Sequence, residues 1–215
     1  MTISLSNVDS DLKFRDPFVT QDGSQRAHVS MKNLGTLWFN TGTLCNLACE
    51  NCYIESTPRN DRLSYLKLDE VEPYLEEIAR EGYQTEEIGL TGGEPFMNPD
   101  ILQIIRSALE RGFSSLVLTN GMRPMMRPAI RSGLLKLNTE FSDKLTVRVS
   151  VDHFNQVIHE KERGLGSWAP MVEGLRWLSD NNFQIAVAGR TLWHESEEEL
   201  REGFSLFFKK NEISI

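Results

Sequence analysis

The chain has 215 residues, of which 40% are hydrophobic and 25% charged, as is ordinary for a globular protein with one core. Its formal net charge of −8 argues against a general nucleic-acid-binding surface, which would be basic. No apolar run is long enough to span a bilayer, and Met1 to Ser10 lack the cationic start of a signal peptide, so a cytoplasmic location is expected.

Residues 1–33 are mostly polar and contain the turn-forming pairs Asp16-Pro17 and Gly23-Ser24. This composition predicts an N-terminal extension with little regular structure, followed by one core domain over residues 34–215. The first strand is predicted at Thr36 to Phe39, where β-forming residues end at Asn40-Thr41-Gly42.

All three cysteines lie on the loop that leaves this strand: Cys45, Cys49 and Cys52. Three thiolates on so short a loop can converge on one metal centre, and an iron–sulfur cube bound by three cysteines keeps one iron free. A disulfide does not suit an odd number of cysteines in a chain without a secretory segment. Structural zinc needs a fourth ligand, and the nearest histidines, His28 and His153, have no ligand-like spacing. An iron–sulfur centre is therefore favoured, and zinc stays open as the alternative.

Strand and helix patterns then alternate along the rest of the chain. Helices are predicted to begin at Asp69, Asn98, Ser167 and Ser196, because capping residues precede apolar stripes at these positions. Between them, strands are predicted at Glu86–Thr91, Ser115–Thr119, Leu145–Asp152 and Phe183–Arg190.

Two segments give weaker patterns. Pro124 and Pro128 are expected to interrupt any helix between Met122 and Lys136, apart from a last turn or two. A loop is expected between Asp152 and Gly166.

A strand followed by a helix occurs five times with short links, which predicts an α/β fold with parallel crossover connections. Periodicity leaves a barrel and a doubly wound sheet both open. In either fold the loops at the carboxyl ends of the strands converge on one face, so residues far apart in sequence can share a site there.

The run from Cys45 to Tyr53 reads CNLACENCY and resembles the CNLxCxxCY signature of the radical S-adenosylmethionine (radical SAM) enzymes. The resemblance implies a [4Fe–4S] cluster held by Cys45, Cys49 and Cys52, with the amino and carboxylate groups of SAM on the fourth iron. It also implies a partial (β/α)6 barrel. Five units are countable here, and Glu212 to Ile215 would begin a sixth strand where the chain stops, so the core is expected to be C-terminally truncated.

Further motifs extend the resemblance. Gly92-Gly93-Glu94-Pro95 is similar to the family's GGEP motif, in which backbone and glutamate contacts receive the SAM ammonium group. Glycines let main-chain atoms approach a ligand, and a carboxylate suits a cation. Asn120, in Thr119-Asn120-Gly121, resembles the TNG motif near the ribose and adenine, although it also suits a plain turn.

The later part of the chain resembles the peptide- and cofactor-maturing branches of the family. Ser150-Val151-Asp152 matches their S-x-D motif, and the run from His159 to Trp168 matches H-[DE]-x-x-R-G-x-G-[ST]-[FW]. The resemblance implies that Ser150 and Arg163 contact the methionyl carboxylate or ribose, whereas Asp152 and His159 are expected to hold the loop. Arg190 is a second arginine candidate for SAM, with a salt bridge as its alternative role.

Asn51 departs from the family pattern, because many members have an aromatic residue or histidine before the third cysteine, against the adenine. The sequence therefore does not indicate which group contacts adenine.

The resemblance implies that an electron donor such as a flavodoxin or ferredoxin reduces the cluster. SAM is then cleaved to a 5′-deoxyadenosyl radical, which abstracts hydrogen from a peptide, protein or small-molecule substrate. No residue is indicated as the substrate's general base. Two alternatives stay open: a non-catalytic iron–sulfur or zinc module, and a truncated SAM-binding fragment that does not turn over.

Overall fold

The computed structural model describes residues 16–215, and the chain divides into two compact units between Lys32 and Asn33. In the described part of the first unit, the Asp16 carboxylate accepts hydrogen bonds from the backbone N–H groups of Phe18 (2.7 Å) and Val19 (2.9 Å). Val19 and Gln25 form an isolated antiparallel bridge. Residues 16–32 therefore form a turn without a helix or a longer strand. The prediction for residues 1–15 lies outside the described residues.

The second unit is built on one five-stranded sheet. Its strands are β1 (Thr36–Asn40), β2 (Glu87–Thr91), β3 (Ser114–Thr119), β4 (Leu145–Asp152) and β5 (Gln184–Gly189). All neighbouring strands are parallel, and their order in the sheet is their order in the chain. A doubly wound sheet reverses its strand order at a switch point, whereas a barrel wall does not, so the fold is a partial β/α barrel.

Seven helices in residues 33–215 connect or follow the strands. They are α1 (Leu68–Glu81), α2 (Ile101–Glu110), α3 (Arg123–Met126), α4 (Pro128–Phe141), α5 (Gln156–Arg163), α6 (Trp168–Asp180) and α7 (Glu197–Lys210). A single 3-10 turn at Pro95–Met97 follows β2. Nowhere in residues 16–215 is a helix both long and apolar enough to cross a membrane.

The core lies between the sheet and the helices. The predicted apolar stripe of α2 is buried completely or nearly so, and the strands contribute residues from alternate positions, which is how a pleated strand presents one face. The main contributors are Ile101, Ile104, Ile105, Ala108 and Leu109 from α2, with Ile88, Leu90, Val117, Val147 and Val149 from the strands.

All five predicted strands are present, and the differences concern helices and the chain end. Helical structure is interrupted at Arg127, directly before Pro128, as expected. Pro124 and Pro128 also lie in the first turns of α3 and α4, where the missing N–H of proline would be unpaired in any case, and α4 runs for 14 residues instead of a last turn or two. The expected loop after Asp152 contains α5, whose first turn is capped by the Asn155 side chain. Glu212–Ile215, expected to begin a sixth strand, is not in a strand.

Helix capping was predicted with mixed success. The capping box of Ser196 and Glu199 at the start of α7 is confirmed, with both reciprocal hydrogen bonds present. The one predicted at Asp69 is wrong. The helix starts after Lys67, whose N–H donates to Glu70 Oε2 over 2.8 Å.

Candidate functional site

The carboxyl ends of the five strands surround a pocket of about 140 Å³. Every predicted site residue except Glu94 lines this pocket. The lining includes Cys45, Cys49, Cys52, Gly92, Gly93, Asn120, Ser150, Arg163 and Arg190. The parallel sheet brings these residues together because they end or follow its five strands, or lie on the helix after β4.

The three cysteines are unpaired thiols, and nitrogen donors face each sulfur. The backbone N–H of Leu47 donates to Cys45 Sγ over 3.4 Å, and that of Ser56 donates to Cys52 Sγ over 3.2 Å. Arg163 Nη1 lies 4.0 Å from Cys49 Sγ. Donors placed around sulfur stabilise thiolates and metal-bound thiolates, so these surroundings suit cysteines that act as ligands.

The protonation of the thiols also bears on their role. Burial raises the pKa of Cys45 to about 12, and burial raises the pKa of Cys49 as well. Such thiols stay protonated at neutral pH unless a cation binds them, because a buried thiolate is poorly solvated. Iron would provide that positive charge, and its binding would release the thiol protons.

Within the described residues, no group of three or more His, Cys, Asp or Glu side chains is placed to hold a metal ion. The three thiols line the pocket without forming a site for a single ion, as structural zinc would require. In a [4Fe–4S] cluster each thiolate binds a different iron, so its cysteines need not converge on one point. The donor set therefore fits a cluster better than it fits zinc.

The two glycines after β2 pack directly against the cysteine loop. A Cβ atom on Gly93 would lie 2.1 Å from the carbonyl oxygen of Leu44, and Gly92 has a φ of +134°. The N–H of Gly93 donates to Gly42 O over 2.8 Å, and that of Glu94 donates to Leu44 O over 3.0 Å. Only glycine permits this approach, so the GGEP segment fixes the backbone that carries Cys45.

Glu94 does not line the pocket, and its carboxylate is 2% exposed. It accepts hydrogen bonds from Thr119 Oγ1 (2.8 Å), Asn120 N (2.9 Å) and Phe96 N (3.1 Å). Burial raises the pKa of this carboxyl, although the three donors act in the opposite direction. In this structure Glu94 ties the end of β2 to the end of β3.

Asp152 is the centre of the arginine contacts at the end of β4. Arg163 Nη2 donates to its Oδ1 over 3.0 Å, and Arg163 Nε lies 2.8 Å from its Oδ2. Arg190 Nε donates to the same Oδ1 over 3.2 Å. A bulge in the pairing with β5 and a φ of +61° place Asp152 where both guanidinium groups reach it.

Arg163 is held as a cation in the wall of the pocket. Burial opposes its charge, but the nearby Asp152 carboxylate and the sulfurs of Cys49 and Cys45 outweigh burial and raise the pKa of Arg163. Arg190 both lines the pocket and forms ion pairs, so its two predicted roles are compatible.

The remaining candidates differ in how fully they are engaged. Asn120 Nδ2 donates to Asn46 Oδ1 over 2.8 Å and lies 3.8 Å from Cys45 Sγ, so this side chain ties the end of β3 to the cysteine loop. The Ser150 hydroxyl lines the pocket and has no hydrogen-bond partner in residues 16–215. His159 is buried away from the pocket, with Nδ1 in contact with Val151 O.

Sequence reasoning missed one contact pair, between Glu162 and Asn51. The Glu162 carboxylate accepts from Asn51 N (3.0 Å) and Asn51 Nδ2 (2.7 Å), and it lies 3.2 Å from Arg190 Nη1. Its backbone carbonyl accepts from Glu50 N over 2.9 Å. The residue that departs from the common motif thus anchors the cysteine loop to α5. The only available signal was the position of Glu162 directly before Arg163.

Comparison with known proteins places this geometry in a family. The chain is 29% identical over 165 residues to the antilisterial bacteriocin subtilosin biosynthesis protein AlbA of Bacillus subtilis, covering 74% of this chain and 35% of AlbA. It is 29% identical over 163 residues to the AdoMet-dependent heme synthase of Methanosarcina barkeri, covering 75% of this chain and 44% of that protein. The chain thus spans less than half the length of either relative.

The fold is shared with SuiB of Streptococcus suis, in a crystal structure with bound S-adenosylmethionine. The TM-score is 0.65 at 16% identity, covering 84% of this chain and 39% of SuiB. A family model for the radical SAM superfamily matches residues 39–206, from the end of β1 into α7. The family's cofactors are a [4Fe–4S] cluster and SAM. The chain therefore belongs to the radical SAM superfamily.

Proposed function

We propose that this chain is the cluster-binding and SAM-binding core of a radical SAM enzyme that matures a peptide or a cofactor precursor. The observation that carries the proposal is that three free cysteines share one pocket with Gly93, Ser150 and Arg163 at the carboxyl ends of the strands. A binding module without SAM chemistry would not need an arginine side chain that is only 10% exposed, nor a hydroxyl without a partner in residues 16–215, beside the thiols.

Cys45, Cys49 and Cys52 would hold the cluster, because a nitrogen donor faces each sulfur. The side chain of Asn46 and the main-chain N–H groups of Leu47 and Asn51 would keep the loop fixed around it. The Asn120 amide beside Cys45 Sγ is placed to tune the reduction potential, since hydrogen bonds to sulfur are one of the protein's means of tuning iron–sulfur centres.

Arg163, Ser150 and the glycines of the GGEP segment would bind SAM. The Arg163 guanidinium offers donors suited to a carboxylate, and Asp152 fixes its orientation. Gly92 and Gly93 bring main-chain atoms to the pocket wall. We assign to Glu94 the role of holding this wall, because its carboxylate is committed to three donors of β3 and the 3-10 turn.

When bound, these cofactors supply the one-electron reductive cleavage of SAM to a 5′-deoxyadenosyl radical that abstracts hydrogen from the substrate. The protein's part is to orient SAM and to exclude water. The pocket walls serve this purpose, since Cys45 is only 6% exposed and the carboxylates of Asp152 and Glu162 are satisfied by arginines rather than by solvent.

The substrate class rests on the relatives. AlbA is named for the biosynthesis of a bacteriocin, and the Methanosarcina protein is named as a heme synthase. Together with the H-x-x-x-R-G run from His159 to Gly164, this supports a peptide or cofactor precursor as the substrate.

Anaerobic reconstitution with iron and sulfide, followed by reduction with SAM present, tests the proposal. We expect 5′-deoxyadenosine to form with the parent chain and not with Cys45→Ala, Cys49→Ala or Cys52→Ala. Arg59→Ala, an exposed change outside the pocket, should retain formation and serves as the control. Helical circular dichroism should be unchanged in all variants. Cleavage that persists without a cysteine would refute the proposal, and SAM binding without cleavage would favour a non-catalytic fragment.

A further inference from the structure

A second depression, of about 490 Å³, lies beside the cysteine loop. It shares no lining residue with the pocket that contains the three cysteines, Ser150 and Arg163, which is called the SAM pocket below. Its wall contains two consecutive residues of the cysteine loop and two arginines from the start of α3 and α4, and it contains no acidic residue. The residues used below are Asn46, Leu47, Arg123, Pro124 and Arg127.

This wall is in direct contact with a sulfur of the predicted cluster site. Leu47 N donates to Cys45 Sγ over 3.4 Å. Asn46 Oδ1 accepts from Asn120 Nδ2, and the same nitrogen lies 3.8 Å from Cys45 Sγ. Cys45 itself is buried, so Asn46 and Leu47 are the layer that separates its sulfur from this depression. The rate of electron tunnelling falls steeply with distance, and here only Asn46 and Leu47 lie between the Cys45 sulfur and the depression.

The surface beside the depression is basic in an acidic protein. The sequence contains no Asp or Glu from residue 111 to residue 139, although the chain as a whole carries a net charge of −8. Arg123 and Arg127 are exposed, and neither forms an ion pair with a carboxylate of residues 16–215. Arg127 is held in place by donating to Pro124 O and Phe96 O, whereas Arg123 makes no contact of this kind. Two positive charges are therefore left for a partner.

An exposed apolar residue adjoins the same depression. Leu165 is 95% exposed and directly precedes Gly166, which belongs to the lining. Leu47 is half-buried in the wall. Exposed apolar side chains beside two arginines that have no carboxylate partner in residues 16–215 suit a surface that docks an acidic protein.

We propose that this arginine surface, formed by Leu47, Arg123, Arg127 and Leu165, docks an acidic one-electron carrier protein of the flavodoxin or ferredoxin class. The inference rests on the proposed function. In the step concerned the carrier is oxidised by one electron and the cluster is reduced by one, with no atom transferred. The electron enters through the Asn46 and Leu47 side of the loop, and the SAM pocket stays closed to the carrier.

The test compares two reductants on the reconstituted full chain under anaerobic conditions. Reduced flavodoxin or ferredoxin must dock before it can deliver an electron, whereas dithionite is small and need not dock. The variant is Arg123→Glu, which breaks no contact in residues 16–215. The matched control is Arg201→Glu, the same charge change on α7, where Arg201 is 77% exposed and pairs only with the equally exposed Glu197.

We expect Arg123→Glu to slow cluster reduction by the carrier about fivefold or more at low ionic strength, with the difference shrinking as salt is added. Arg201→Glu should slow it much less. With dithionite, all three proteins should be reduced at the same rate. Leu165→Ser should weaken carrier binding at both low and high salt, because it removes an apolar contact and no charge.

Three results would overturn the inference: equal effects of Arg123→Glu and Arg201→Glu, an equal slowing of Arg123→Glu with dithionite, or a parent chain that dithionite reduces and neither carrier reduces. These results differ from failure of the proposed function, in which dithionite and SAM would give no 5′-deoxyadenosine with the parent chain.

Discussion

Replacing Glu162 by alanine removes the carboxylate that anchors the cysteine loop to α5. In the folded protein this carboxylate is 3% exposed and accepts two hydrogen bonds from Asn51, between Cys49 and Cys52. Its loss leaves the Asn51 N–H and side-chain amide without an acceptor. It also leaves Arg190 with one carboxylate partner, Asp152, instead of two.

The magnitude follows from these contacts. Each buried donor left unsatisfied costs about 1–3 kcal/mol, and breaking a buried ion pair costs about 3–5 kcal/mol. Asn51 is exposed, and Arg190 is 29% exposed and keeps Asp152, so we discount both contributions and expect a total of about 2 kcal/mol for Glu162→Ala. Glu162→Gln keeps an acceptor for Asn51 and loses only the charge, so we expect about 1 kcal/mol.

The readout is the stability of the bound cluster. If the lost free energy acts on the loop alone, about 2 kcal/mol raises the population of its open form about 30-fold, and about 1 kcal/mol raises it about fivefold. Iron extraction by a chelator such as bathophenanthroline should therefore accelerate most in Glu162→Ala and modestly in Glu162→Gln. Lys161→Ala, an exposed neighbour on α5, should match the parent chain.

Parent-like iron extraction in Glu162→Ala would refute the anchoring role. So would equal acceleration in Lys161→Ala, because that would trace the effect to α5 as a whole. A denaturant titration of the cluster-free proteins separates loop opening from global unfolding.

Three other changes test the structure independently. Gly93→Ala should lower the free energy of unfolding by about 1–3 kcal/mol and reduce iron incorporation, since its Cβ would lie 2.1 Å from Leu44 O. The control Gly35→Ala, whose Cβ would lie 3.8 Å from the nearest atom and whose φ is not positive, should keep full iron content. Asp152→Asn should lower the free energy of unfolding by about 3 kcal/mol, because Arg163 loses its charged partner. It should also weaken SAM binding, measured by equilibrium dialysis, and unchanged SAM affinity would argue against Arg163 as a SAM ligand. Burial lowers the pKa of His159 in the folded protein, so below pH 6.5 the unfolded chain binds a proton at this residue that the folded protein does not. The contribution of neutral His159 to the free energy of unfolding is therefore complete above pH 6.5 and is lost as the pH falls towards the lowered pKa. Chemical unfolding between pH 7.5 and 5.5 should show a slope of up to about 1.4 kcal/mol per pH unit, and His159→Asn should reduce it.

The sequence predicted the strands and the cysteine loop because both signals are local. β-forming runs bounded by turn residues, and three cysteines within eight positions, can be read without knowing any distant contact. The proximity of Gly93, Ser150 and Arg163 was predictable as well, since parallel strands place their carboxyl ends at one edge.

The roles of individual side chains were harder to predict. Glu94 carries the family motif, but its partner Thr119 is 25 residues away and only the folded sheet brings the two together. Asn51 and Glu162 are 111 residues apart, so no local pattern in the sequence indicates that they are in contact. The short helix α5 was missed because it has eight residues and a polar sequence, and its boundaries depend on the Asn155 cap and Gly164.

Prolines gave a second kind of error. The interruption expected from Pro128 is present at Arg127, but both prolines also lie in the first turn of a helix, where proline is favoured, so the 14-residue length of α4 was not predicted. Whether a proline opens or breaks a helix depends on where the preceding helix or strand ends, and that end is set by packing against neighbouring elements.

The measurement that tests the central claim most directly is electron paramagnetic resonance of the reduced, reconstituted chain with and without SAM. If one iron lacks a protein ligand and SAM binds it, adding SAM should change the g values of the cluster signal, and Ser150→Ala with Arg163→Ala should weaken that change. Identical spectra with and without SAM at saturating concentration would contradict the account.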